Sequence, residues 1–69
     1  MLKTEPKLTN MQQKIACLIA KGYTNYQIAS VLEIAEGTVN AHIHNIFNKF
    51  RFHNRAQIAV LAYEKQIID

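Results

Sequence analysis

The stretch TNYQIASVLEIAEGTVNAHIHNIFNKF, residues 24–50, decides how this chain is read. It divides into a short helix, a tight connection around Glu33–Ala35 and a longer helix predicted over 36–50. In the longer helix Val39, Ile43, Ile46, Phe47 and Phe50 recur at helical spacing. At about 100° per residue they fill a sector roughly 100° wide, the stripe of a helix that packs on a core. Asn40, Ala41, His44, Asn45 and Asn48 fall in the opposite sector. A helix anchored along one side and offering amides and imidazole on the other has the form of a helix-turn-helix reading element.

The segments on either side supply the rest of a small all-α domain. Upstream, Thr9-x-x-Gln12 has the form of a capping box, and Met11, Ile15, Leu18 and Ile19 follow at helical spacing. Lys21-Gly22 ends that helix, with Gly22 suited to the left-handed position beyond it. Thr24-x-x-Gln27 opens the second helix in the same way, and Ile28, Ala29, Val31 and Leu32 supply its apolar face. Asn54 opens a fourth helix, again with a glutamine, Gln57, three residues on. The expected architecture is a four-helix bundle with helices at about 9–21, 24–32, 36–50 and 54–67. Residues 1–8 are read as a flexible arm and 9–69 as one domain. The start of the third helix is the local weak point, because Ala35 has no side-chain acceptor. Relative to serine that omission costs about 1 kcal/mol.

The fourth helix carries two apolar stripes. Ile58, Leu61 and Ala62 form one, and Val60, Tyr63 and Ile67 form the other. A four-helix core uses one of them, so the second meets something else or remains an exposed patch, which is a sign of a partner surface.

Charge and composition narrow the function. The 69 residues hold one domain, with 49% hydrophobic residues and a formal net charge of +3. Between Gly37 and Tyr63 there is no acidic residue, while Lys49, Arg51, Arg55 and three histidines fall there. Positive potential is therefore local to the long helix and the segment after it, which permits nucleic-acid binding without establishing it. The single cysteine, Cys17, precludes an intramolecular disulfide and fits a reducing compartment. The longest apolar runs are six residues, and the first residues lack the apolar core of a signal peptide. The expectation is a soluble protein of the cytoplasm with no membrane partner.

Chemistry other than binding finds little support. His42 and His44 are two apart and point some 200° away from each other on a helix, whereas helical metal pairs use spacings of three or four. No metal site and no cofactor are expected. No nucleophile stands at motif spacing from a base, and no glycine-rich phosphate loop occurs, so an enzyme is not expected.

Taken together, Gly22-x-Thr24-Asn25-x-x-Ile28-Ala29, Leu32, Ile34, Thr38-Val39-x-x-His42-x-x-Asn45-Ile46-x-x-Lys49-Phe50 and Asn54-Arg55 resemble the LuxR/GerE-type helix-turn-helix domain. The likeness covers residues 8–62. It implies a bacterial, sequence-specific DNA-binding transcription regulator acting at the nucleoid as a homodimer. Its third helix would lie in the major groove and its fourth would make the dimer contact. By position, Asn40, Ala41 and His44 fall where the family places base-reading side chains. Thr24, Thr38, His42, Lys49 and Arg51 are the expected phosphate contacts, although His42 lies at the edge of the core stripe and suits a structural hydrogen bond equally well. Val60, Tyr63 and Ile67 are the expected dimer interface. Double-stranded DNA is the implied partner, with a related regulator or RNA polymerase as further ones.

The sequence also departs from the family pattern. Members often have Arg or Glu where Met11 and Gln12 stand, Glu at Lys14, Ser at Ala35 and Lys or Arg at Asn40. Neutral Asn40 weakens the attraction to DNA, yet its amide suits a bidentate bond to adenine. With no stretch for a sensor domain in these residues, the likeness is to the stand-alone, GerE-like members. A second function class stays open at this level: a protein-interaction module that pairs through the fourth helix with a related regulator and inhibits it.

Overall fold

The computed structural model describes residues 6–66. Four helices follow in order: α1 (Asn10–Ala20), α2 (Asn25–Leu32), α3 (Glu36–Phe50) and α4 (Arg55–Glu64). The architecture is the all-α helix-turn-helix bundle expected from the periodicities. α1 packs mainly against α4 and α2 mainly against α3, while α1 also touches α3.

Local chemistry starts three of the helices. Thr9, Thr24 and Asn54 each accept a hydrogen bond from the backbone N–H three residues on, at 3.1 Å in every case. Gln12, Gln27 and Gln57 each accept the reciprocal bond from the cap residue's own N–H. These are complete capping boxes, satisfying donors that an isolated helix start leaves unpaired. α3 alone starts without one: Ala35 has the extended backbone of a cap, but makes no side-chain hydrogen bond.

The helix ends divide differently. α1 closes on Gly22 at φ 91°, with Tyr23 N–H donating to the Leu18 carbonyl and Gly22 N–H to that of Ile19. This is the Schellman pattern, with glycine in the left-handed position that suits it. α2 and α3 close through the same conformation on Glu33 (φ 58°) and Arg51 (φ 59°), residues with a Cβ. α4 stops at Glu64, three residues short of the expected end. Lys65 caps it and Gln66 turns left-handed at φ 56°, its N–H donating to Tyr63 instead of continuing the helix.

The core is small and aliphatic. Ile15, Ile28, Val39, Ile46 and Ile58 are fully buried, one or two from every helix. Ala16 and Ala62, also fully buried, let α1 and α4 come close. Phe47 and Phe50 pack half-buried against this cluster, and Phe50 stacks on Phe52 with ring centroids 5.3 Å apart. One residue assigned to the apolar face of α2 is elsewhere: Val31 points outward, 55% exposed. On a helix of eight residues Ile28 and Ala29 are buried and Leu32 packs against the core, and Val31 lies beyond that sector. Of the expected arm, Leu8 packs against the core, whereas residues 1–5 lie outside the described residues. None of the described helices is long and apolar enough to cross a membrane.

Candidate nucleic-acid interface

α3 is fixed from one side. Val39, Ile43 and Ile46 are buried in the core, and the half-buried Phe47 and Phe50 extend the anchorage toward the end of the helix. The helix cannot rotate without withdrawing this stripe, so the opposite face is held in a set direction. On that face Asn40, Ala41, His44, Asn45 and Asn48 are all exposed. The three residues expected to read bases thus share one accessible surface. The His44 ring meets Phe47 edge-on, centroids 6.0 Å apart, which ties an exposed imidazole to a residue of the core layer.

The expected phosphate contacts fall into three situations. Thr24 is exposed at the start of α2, and Thr38 is exposed in the first turn of α3. The Thr24 oxygen serves as cap acceptor for Gln27 N–H, which leaves its O–H proton to donate outward. Arg51 is exposed immediately after α3, in the left-handed residue that ends it. His42 is half-buried beside the core stripe.

Lys49 is in a third situation. Its ammonium donates to the Lys7 carbonyl at 2.7 Å and to Gln12 Oε1 at 3.0 Å. Five residues beyond His44, it lies about 140° around the helix, on the flank next to α1 and not on the exposed amide face. Gln12 is the one buried polar residue among the described residues. Its carbonyl oxygen accepts from both Thr9 N–H and Lys49, joining the start of α1 to the end of α3.

Arg55 had no individual role assigned from sequence. At the first turn of α4 it donates from Nη1 to Asn25 Oδ1 at 2.6 Å and from Nη2 to the Tyr23 carbonyl at 2.7 Å. Burial lowers the guanidinium below its usual pKa, and it remains charged, as arginine does in proteins. The signal available in the sequence was the pair Asn54-Arg55 within the family pattern. The partners, some thirty residues away, follow only from the packing of α4.

On α4, Ile58, Leu61 and Ala62 are buried as the inner stripe. Val60 and Tyr63 are 54% and 59% exposed. Ile67, the third residue expected on that outer stripe, lies outside the described residues. A shallow groove lined by Phe52, Ala56, Gln57, Val60, Leu61 and Glu64 runs beside Val60.

A short helix, a three-residue connection and a longer core-anchored helix with an exposed polar face define the class as a helix-turn-helix protein. Residues 6–62 match the model of the GerE family, described as bacterial regulatory proteins of the luxR family. The chain belongs to this family, whose helix-turn-helix is a DNA-binding domain of transcription regulators and not an enzyme. The chain is also 39% identical over 61 residues to the response regulator protein VraR of Staphylococcus aureus, Staphylococcus saprophyticus and Staphylococcus epidermidis. The match takes in 88% of this chain and 29% of each relative's length.

Proposed function

We propose that this chain is a sequence-specific transcription regulator that binds double-stranded DNA as a two-fold dimer, with α3 in the major groove. The observation that carries the reading is the exposed face of α3, where Asn40, Ala41 and His44 stand opposite a fully anchored apolar stripe. Amides and imidazoles at groove-reading positions discriminate bases, whereas contacts to phosphate fix affinity without sequence. Thr24, Thr38 and Arg51 are exposed and serve as phosphate contacts. Lys49 and His42 flank the face, and Lys49 reaches a phosphate by leaving Gln12 or Lys7 or by using its third N–H. The family match and the response-regulator relatives support DNA as the partner and favour this reading over an inhibitory protein-interaction module.

Val60 and Tyr63 are more apolar surface than this core uses, and they are where a second copy would dock. A two-fold pair presents two copies of α3 and demands an inverted-repeat site with half-sites about one helical turn apart. The test is a salt-titrated binding assay on duplexes selected from random sequence, with sedimentation in parallel. The selected site should be an inverted repeat, and affinity should fall with salt. Asn40→Ala should relax preference at one base pair, at a cost of about 1–3 kcal/mol there. Val60→Glu should give a folded monomer that keeps half-site binding. If Asn40→Ala and His44→Ala left affinity and selected sequence unchanged, α3 would not be the reader. A wild type that bound no DNA but paired with another regulator through α4 would replace this reading with the inhibitory one.

A further inference from the structure

The partners of Arg55 straddle a single residue. Its Nη2 holds the carbonyl of Tyr23 and its Nη1 holds the side chain of Asn25, so the fork grips the chain immediately before and after Thr24. Thr24 itself is fixed by its capping box, with its N–H on Gln27 Oε1 at 2.9 Å and its oxygen taking Gln27 N–H. On the near side Tyr23 is tied to α1 through its N–H on the Leu18 carbonyl and packs half-buried against the core, whereas beyond Thr24 the first turn has few such anchors. Tyr26 and Gln27 are exposed, and the buried residues of the helix are Ile28 and Ala29. The guanidinium of Arg55 thus adds a link from α4 to both residues that flank Thr24.

The chemistry of that grip is directional as well as attractive. Both acceptors are neutral, so no carboxylate compensates the partial desolvation of the guanidinium. What a charged, planar fork adds over an apolar side chain is directional control: two parallel donors fix both the distance and the orientation of the segment they hold. Its charge also sits behind the start of α2, where the helix already presents partial positive charge.

We propose that Arg55 is a positioning residue for DNA binding, orienting the turn into α2 so that the Thr24 hydroxyl meets one backbone phosphate in a fixed geometry. This rests on the reading of the chain as a DNA-binding regulator. It predicts that the residue acts on phosphate recognition through Thr24, without touching DNA and without altering which bases α3 prefers.

The test uses a duplex selected from random sequence by the wild type, in which single phosphates are replaced in turn by neutral methylphosphonates. Thr24→Ala identifies the phosphate that this hydroxyl meets, as the position whose neutralisation no longer matters in the variant. For the wild type, neutralising it should weaken binding about tenfold, the scale of one hydrogen bond to a charged group. Arg55→Lys keeps the charge, but a single ammonium lacks the fork that spans both acceptors. In Arg55→Lys the penalty at that phosphate should shrink to about twofold or less, while the penalties elsewhere and the selected sequence stay as they were. Asn25→Ala removes half of the grip and should fall between the two, with helicity by circular dichroism showing that both variants are folded. A purely structural Arg55 would lower the melting temperature and leave the wild-type methylphosphonate profile intact, which overturns the proposal. A wild type insensitive to every substitution would instead remove the DNA reading on which it rests.

Discussion

α1 and α3 bury one face each in the same core, but the instructions that delimit them differ. α1 begins with a complete capping box at Thr9 and Gln12 and ends on Gly22, the residue type its left-handed position favours. α3 begins on Ala35 with no side-chain bond and ends on Arg51, whose φ of 59° is costly for any residue with a Cβ. α3 is the longer helix and the one with the exposed polar face, yet it has the poorer local chemistry at both ends. Its existence rests on the buried stripe Val39, Ile43 and Ile46, together with the Lys49 brace to Gln12 and Lys7. A helix held from its side by packing keeps its termini available for other work. In this molecule both termini of α3 lie beside proposed phosphate contacts, Thr38 and Arg51.

The comparison breaks first if the stripe is not what holds α3. Ile46 is fully buried, and Ile46→Ala should cost about 2–5 kcal/mol through lost burial and the cavity left behind. In a domain this small that is a large fraction of the total stability, about 5–15 kcal/mol for proteins generally. Chemical denaturation should show the midpoint collapsing, and α3 should lose hydrogen-exchange protection along its whole length. A loss under about 1 kcal/mol, well below the range for such truncations, would mean that local signals, and not packing, sustain the helix.

Two smaller changes compare the helix starts directly. Thr9→Ala removes the acceptor for Gln12 N–H and should cost about 1 kcal/mol. The reciprocal gain is available at Ala35, which is exposed and already has the extended backbone of a cap residue. Ala35→Ser should stabilise by somewhat less than about 1 kcal/mol, since Thr38 at the third helical position cannot return the bond as a glutamine does. Thermal melts at fixed protein concentration read both, at roughly 4–8 °C per kcal/mol for a domain of this size. Equal and negligible shifts would erase the contrast between the two starts.

This pattern also explains how much of the molecule was readable in the sequence. The three capping boxes, the uncapped Ala35, the turn at Gly22 and the buried stripe of α3 each depend on residues within a few positions of one another, and all were visible as spacings. The two stripes of α4 were visible for the same reason, and Val60 and Tyr63 are exposed as their sector requires. The left-handed ends at Glu33 and Arg51 were not legible, because neither residue type favours that conformation; the turn geometry imposes it. Nor were the Lys49–Gln12 and Arg55–Asn25 bonds, which join residues 37 and 30 positions apart. Lys49 on its own reads as a solvated cation waiting for a phosphate. Only the crossing of α3 over the start of α1 places Gln12 beneath it.

The smallest effect is at Arg51, and it separates stability from function within one side chain. A non-glycine residue in the left-handed region costs about 1–2 kcal/mol. Glycine removes that cost but returns about 0.5–1 kcal/mol through the greater freedom of the unfolded chain. Arg51→Gly should therefore stabilise the fold by roughly 0.5 kcal/mol, the difference between those two effects. The same substitution removes an exposed cation just past α3. If Arg51 neutralises one phosphate, the slope of log affinity against log salt should flatten by about 0.9, with the selected sequence unchanged. Stability and affinity then move in opposite directions, which a residue retained for folding alone would not produce. A stabilised variant with an unaltered salt slope would remove Arg51 from the interface, and a destabilised one would show that its side chain, not its backbone, matters to the fold.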